Sequence, residues 1–186
     1  MTLQHSPRVA TDDKLRPAVA AIVHARRGSA DALLAEFARD LRGRGWRVRG
    51  VVQEDTVDRM RRARRMVLVD LDQGIRFPIS QDLGPGSAAC SVDPQGVAAA
   101  SIALRRIAAE GADLVVANRF GELEAGGGGL AAEMLALMSG GIPLLTVVNE
   151  RFLEEWRRFT GNAAAELPTR REALEAWFAG IPRKKT

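Results

Sequence analysis

The stretch PAVAAIVHARRGSADALLAEFARDLRGRGWRVRGVVQ, residues 17–53, decides the fold. Its first eight residues, 17–24, form an apolar run of strand length. Ala25-Arg26-Arg27-Gly28-Ser29 then breaks the run, and Ser29 suits the N-cap of a helix. Leu33, Leu34, Phe37, Ala38 and Leu41 recur at the helical period. The helix ends near Arg42-Gly43, and residues 46–53 (WRVRGVVQ) read as the next strand. A strand–helix–strand crossover predicts that the two strands run parallel.

Working outward, residues 66–71 (MVLVDL) and 75–79 (IRFPI) flank Asp72-Gln73-Gly74, a hairpin signal. Pro78 places the second of these strands at a sheet edge. Residues 80–92 are a loop of glycine and small side chains. Asp93 and Pro94 open a helix whose face includes Val97, Leu104 and Ile107, and Gly111 stops it. Residues 112–117 (ADLVVA) and 142–148 (IPLLTVV) are buried-strand patterns. Between them lie a loop at 118–129 and a short helix at 130–138. Phe152, Trp156 and Phe159 mark another helix. Thr169 and Glu172 form a capping-box pattern before a last helix that buries Leu174, Trp177 and Phe178. Strands alternating with helices predict a three-layer α/β domain over 17–181, with a mostly parallel sheet and a β-hairpin insertion. Residues 1–16 read as a flexible lead and 182–186 as a basic tail.

Composition narrows the function. The chain has 186 residues, 46% hydrophobic, with a net charge of +4 and a pI near 10.1. Part of the positive charge clusters at Arg59, Arg61, Arg62, Arg64 and Arg65, and again at Arg183, Lys184 and Lys185. No aromatic side chain interleaves the first cluster to stack a base, so a solvated basic loop is expected rather than a nucleic-acid surface. The apolar runs are too short to span a membrane, and residues 1–16 have no hydrophobic centre like that of a secretory signal. A single cysteine, Cys90, excludes an internal disulfide and fits a reducing compartment. A cytoplasmic location is therefore expected. The two histidines and one cysteine have no zinc-site spacing, so no metal ligands are assigned among them. Glu122, Glu124 and Glu133 could contribute to a cation site, although acidic residues around an exposed loop are usually solvated.

Three segments could carry chemistry, because ligands of parallel sheets bind beyond the carboxyl ends of the strands. The first, residues 24–31, has the position and length of a P-loop, G-x-x-x-x-G-K-[ST], whose amides and lysine hold phosphates and whose hydroxyl holds magnesium. Here His24 and Ser29 stand at the glycine positions, Ala30 at the lysine and Asp31 at the hydroxyl residue. Arg26 and Arg27 could resupply charge beside Gly28 and Ser29, and an ordinary capped turn fits these residues as well. The second segment is ADLVVANRFGELEAGGGG, residues 112–129, in which Asn118, Arg119 and Glu124 are the candidates. The third follows Gln81, where Gly84, Gly86 and Ser87 could form an anion nest able to hold a tetrahedral oxyanion without lysine. A plain glycine-rich turn with Cys90 as a small buried residue is the other reading. Cys90 has no histidine nearby in sequence to activate it.

The second segment resembles the thermostable bacterial and archaeal nucleoside-triphosphatase family, in which a hydrophobic strand precedes Asp-Glu-Ile-Gly-x-x-Glu. Asn118 and Arg119 replace the acidic pair, Phe120 replaces isoleucine, and Gly121 and Glu124 match. LLAEFARDL, GVVQED, VLVDLDQG and PLLTVVN extend the likeness in order and spacing. LGPGSAACSVD (83–93), NRFGELEAGGGG (118–129) and GIPLLTVV (141–148) resemble more closely an uncharacterised bacterial family whose genes often neighbour molybdate ABC-transporter genes. The resemblances imply a P-loop nucleoside-triphosphatase-like fold with degenerate Walker motifs. They also imply an accessory protein that binds a molybdate-like oxyanion, a nucleotide or a related cofactor. A molybdate transporter or a molybdenum-cofactor protein is the implied partner. Two alternatives stay open. One is a magnesium-dependent hydrolase or transferase with Arg26 or Arg27 in place of lysine and Asp31 or Glu124 on the metal. The other is a regulatory partner with no small ligand. No catalytic residue is assigned.

Overall fold

The computed structural model describes residues 18–25, 29–58, 63–81 and 91–183. β1 (Val19–His24) leads into α1 (Ser29–Gly43), as the opening stretch predicts. β2 (Val48–Asp58) and β3 (Ala63–Asp70) form an antiparallel ribbon, and β3 turns at Asp72-Gln73-Gly74 into β4 (Arg76–Pro78). β5 (Ser80–Gln81) and β6 (Ser91–Val92) make a separate two-stranded pair. Next come α2 (Pro94–Glu110), β7 (Leu114–Phe120), α3 (Glu122–Ala125) and α4 (Ala131–Ser139). β8 (Leu144–Asn149), α5 (Leu153–Phe159), β9 (Ala165–Pro168) and α6 (Arg171–Phe178) complete the described order.

Seven strands form one sheet in the order β4-β3-β2-β7-β8-β1-β9. Pairings from β2 through β9 are parallel, while β2–β3 and β3–β4 are antiparallel. The hairpin is therefore an addition to one margin of a parallel sheet, and Pro78 sits on its edge strand, where a missing N–H costs no ladder bond. β1 and β2 are parallel as expected, but β7 and β8 lie between them.

Alternation along the strands divides the core. Ala20, Ile22, Leu114, Val116, Leu145 and Val147 face α1 and α6, together with Leu34, Phe37, Leu41, Leu174 and Phe178. Ala21, Val115, Ala117, Leu144 and Val148 face the other way, toward Leu104 and Ile107 of α2, Met134 of α4 and Trp156 of α5. Both faces of the central strands are covered, which is why their sequences read as continuous apolar runs.

Several local expectations need correction. β7 continues through Asn118, Arg119 and Phe120, so the first three residues of the expected 118–129 loop are strand. The Asn118–Arg119 peptide bond is cis. β9, at the far edge beside β1, was not expected from sequence, because its four residues pair only on one side and lack a long apolar run. Thr169 makes no capping box: its hydroxyl donates to the Val23 carbonyl at 3.0 Å, and α6 starts at Arg171 with no side-chain cap. Asp93 does cap α2, accepting from the Gln95 amide at 3.0 Å.

Two glycines are required by close approach. A Cβ on Gly50, whose φ is +124°, would meet the Val116 carbonyl oxygen of the neighbouring strand at 1.9 Å. On Gly96 it would meet the Pro78 carbonyl oxygen at 2.1 Å, so α2 rests directly on the β4 backbone. Gly50→Ala is expected to destabilise the domain by about 3 kcal/mol or more, since strain and backbone clash coincide in a central strand. Urea unfolding measures this, and a loss below about 1 kcal/mol would contradict the close packing of β2 on β7.

Candidate functional site

The carboxyl ends of β1, β7 and β8 meet the N-terminus of α1, whose first amides have no intrahelical acceptor and whose dipole favours an anion. Two of the three sequence candidates are brought together there. Asp31 lies in the first turn of α1, and Asn118 and Arg119 lie at the end of β7. The Arg119 Nη2 donates to Asp31 Oδ2 at 2.6 Å, and the Asn118 Nδ2 donates to Asp31 Oδ1 at 3.2 Å. Successive strand residues normally point to opposite faces. Both reach one carboxylate here, where the β7–β8 register shifts between Ala117 and Phe120.

The ion pair is partly sheltered, with side-chain exposures of 13% for Asp31 and 27% for Arg119. Asn118 is buried at 2% exposure. A carboxylate can only accept, so the Asn118 amide nitrogen must face Asp31 and its Oδ1 must turn away. That oxygen and the Arg119 Nε are both buried and without a hydrogen-bond partner among the described residues. Native interiors leave few such atoms open, so one acceptor and one donor stand unused beside the helix N-terminus.

Glu124 plays a different part from the one its motif suggests. Its carboxylate is buried and accepts from the Gly121 amide and the Leu130 amide, both at 3.0 Å. Burial pushes its pKa above the ordinary glutamate value, while these backbone donors and the nearby Arg119 act in the opposite direction. The following glycines are shaped around it: a Cβ on Gly129 would fall 2.1 Å from Glu124 Oε1, and Gly127 and Gly129 have φ of +82° and +57°. The loop is wound around its own carboxylate.

Other polar groups hold the strand ends in place. Asn149, beside His24 in the β1–β8 register, donates to the Ala25 carbonyl at 3.3 Å and accepts from the Arg151 amide at 3.1 Å. The buried Thr146 hydroxyl donates to the Ala117 carbonyl at 2.5 Å, pinning β8 to β7 just before the register shift. Sequence reading passed over both, and the available signal was a polar residue inside or closing a buried apolar strand. Phe120, Trp156 and Phe159 form an aromatic cluster beneath β7, with the Phe120 and Trp156 rings 5.2 Å apart. Ser29 is the first residue of α1, one place inside the helix it was expected to cap. Arg26, Arg27 and Gly28 lie outside the described residues, as do Gly84, Gly86, Ser87 and Cys90 of the third segment. Of the arginine cluster, Arg59, Arg61 and Arg62 also lie outside them, and Arg65 is on β3.

A family model described as a protein of unknown function (DUF2478) matches residues 19–177. The chain belongs to the DUF2478 family. Over 160 residues it is 40% identical to the "Molybdenum import ATP-binding protein ModC 2" of Bradyrhizobium diazoefficiens, covering 86% of this chain and 18% of that protein. The chain thus spans less than a fifth of that relative's length. Among solved structures, a human cancer-related nucleoside triphosphatase superposes with a TM-score of 0.57 at 18% identity, over 90% of this chain and 99% of that one. That likeness shows the fold: this DUF2478 chain has the α/β architecture of that nucleoside triphosphatase. Among the described residues, no helix is long and apolar enough to cross a membrane.

Two measurements check this geometry. Asp31→Ala and Arg119→Ala should each destabilise by about 1–3 kcal/mol, between the values for exposed and buried pairs. The double variant should lose clearly less than the sum, and strict additivity in a double-mutant cycle would refute the coupling. For Glu124, a raised folded pKa means the native state holds its proton more tightly than the unfolded chain. Its contribution is therefore full below the ordinary glutamate range and falls as pH rises through the folded value. The stability of the wild type relative to Glu124→Gln should decline over that window, and a flat difference would contradict the buried charge.

Proposed function

We propose that this chain is a binding module, in which a P-loop-like cleft holds an oxyanion or the phosphate of a nucleotide or cofactor, and that it serves molybdenum handling. The observation that carries the reading is the Asp31 carboxylate tied to Arg119 and Asn118 across the mouth of the cleft. The helix N-terminus remains an anion-favouring end, and Arg119 neutralises Asp31, the acidic residue of its first turn. The Arg119 side chain, 27% exposed, supplies a cation at that end.

Phosphoryl transfer depends on positioned cations around the transferring group. Ala30 stands where the phosphate-gripping lysine would be, and the Glu124 oxygens are engaged by backbone amides. Binding therefore accounts for these residues better than turnover does. The molybdenum setting is supported by the likeness to the molybdenum import protein. Because the matched portion is a small share of that relative, the ATP binding in its name is compatible with a site elsewhere in its length.

The test is thermal unfolding of the chain with molybdate, tungstate, phosphate, sulfate and adenine or guanine nucleotides in turn. A ligand at about 100 times its Kd should add about 2.7 kcal/mol, a rise in Tm of roughly 5–10 °C for a domain of this size. The shift should vanish in Arg119→Ala. Melts that no anion and no nucleotide moves would remove the proposal, and magnesium-dependent phosphate release by pure protein would replace it with hydrolysis.

A further inference from the structure

P-loop folds seat a magnesium ion between a hydroxyl in the first turn of the helix and a carboxylate at the end of a neighbouring strand. In this chain those two places are filled by Asp31 and by Asn118-Arg119, and the structure brings them into direct contact. The donor set does not fit the ion. A carboxylate replaces the hydroxyl, and its oxygens are taken by Arg119 Nη2 at 2.6 Å and Asn118 Nδ2 at 3.2 Å. On the facing strand, where a dication needs an anionic oxygen, stands a guanidinium that would repel it. Among the described residues, no three histidine, cysteine, aspartate or glutamate side chains are grouped to hold a metal.

We propose that the Arg119 guanidinium is a built-in replacement for the divalent cation of the P-loop fold, so that this cleft takes its phosphate or tetrahedral oxyanion without magnesium. The inference rests on the anion-binding reading above, and it specifies that site's ligand as a bare oxyanion rather than a metal–phosphate complex. Charge carries the argument. With the lysine position occupied by Ala30 and the metal seat by Arg119, the guanidinium is a positive group tied to the first turn of α1, held there by Asp31. Its flat fork suits an oxyanion. With 27% of its side chain exposed, the group is not closed off in the core.

The pairing also explains why two substitutions occur together. Asp31 alone would place an uncompensated carboxylate at a helix N-terminus meant for an anion. Arg119 alone would leave a cation without a fixed position. As a pair they are neutral overall, with the guanidinium held against the first turn of α1.

Two measurements on the full chain test the proposal. In the first, calorimetric titration with inorganic phosphate and with molybdate is run in EDTA and again with excess magnesium. The affinities should agree within about twofold, and a gain of about tenfold or more with magnesium would overturn the inference while leaving anion binding intact. Arg119→Ala should lose phosphate binding in EDTA, and undiminished binding there would equally overturn it. In the second, Mn2+ uptake is followed by its electron paramagnetic resonance signal in the absence of any anion. The wild type should leave the ion free. Arg119→Asp, which sets a second carboxylate opposite Asp31, should bind it, and adding Asp31→Asn should abolish that binding. Uptake by the wild type that Asp31→Asn removes, or no uptake by a folded Arg119→Asp, would refute the assigned seat. If Arg119→Asp does not fold, Arg119→Ser opens the same seat and is read in the same way. Should no anion bind the wild type while Arg119→Asp takes up Mn2+, the binding function falls and the seat stands.

Discussion

The carboxylate of Asp31 is where helix and sheet are tied together at the carboxyl end of the parallel strands. It sits in the first turn of α1, and the groups that satisfy it come from the end of β7, two strands away from β1. β8 lies between them, joined to β7 by the Thr146 hydroxyl on the Ala117 carbonyl, and the β7–β8 register shifts just beyond that bond. The aromatic cluster under Phe120 holds the same end of β7 from the opposite face. The cleft is therefore built by packing first, and its electrostatics are set by three side chains within that frame.

Charge elsewhere in the chain follows another logic. The high pI suggests a broad anion-binding surface, yet many of the described arginines are consumed in local pairs. Arg49 bridges Asp72 and Glu110 and also donates to the Gly111 carbonyl at the end of α2. Its hydrogen bond holds Asp72 below the ordinary carboxylate range against the opposing effect of burial. Arg106 reaches Asp70, and Arg171 joins Asp40 to Glu175. These guanidiniums serve surface links, and Arg49 also meets the C-terminus of α2, where a cation is favoured. Arg183, expected in a free basic tail, lies over the Trp46 ring at 4.7 Å. Net charge is thus a poor guide to the ligand, and Arg119 matters through its position.

Most of the fold was legible because it rests on periodicity. Continuous apolar runs at β1, β7 and β8 and the helical spacing in α1 and α2 each follow from burial on two faces or one. What the sequence hid was the non-local part. β9 is too short and too polar to announce itself without its partner β1. The Thr169–Glu172 pattern has the form of a capping box, but its hydroxyl finds a better acceptor in Val23, far away in the chain. In the site, the sequence singled out Asp31, Asn118 and Arg119 as odd residues at familiar positions. That they satisfy one another is a fact of three dimensions, since no local spacing relates residue 31 to residue 119.

Glu124 shows why a matched motif position is weaker ground than a mismatched pair. In spacing it agrees with the hydrolase pattern, which would make it a candidate for the metal. In the structure its desolvated carboxylate is occupied by the Gly121 and Leu130 amides, and Gly129 has no room for a side chain because Glu124 fills that space. The conformational needs of the glycine run thus follow from the buried acid it encloses, with no ligand required to explain them. Asp31 and Arg119 are the reverse case: each departs from the pattern, and each departure makes sense only through the other. Altered residues that compensate one another change the charge presented at that end of the sheet, and this is the physical ground for proposing a ligand other than a magnesium-bound nucleotide.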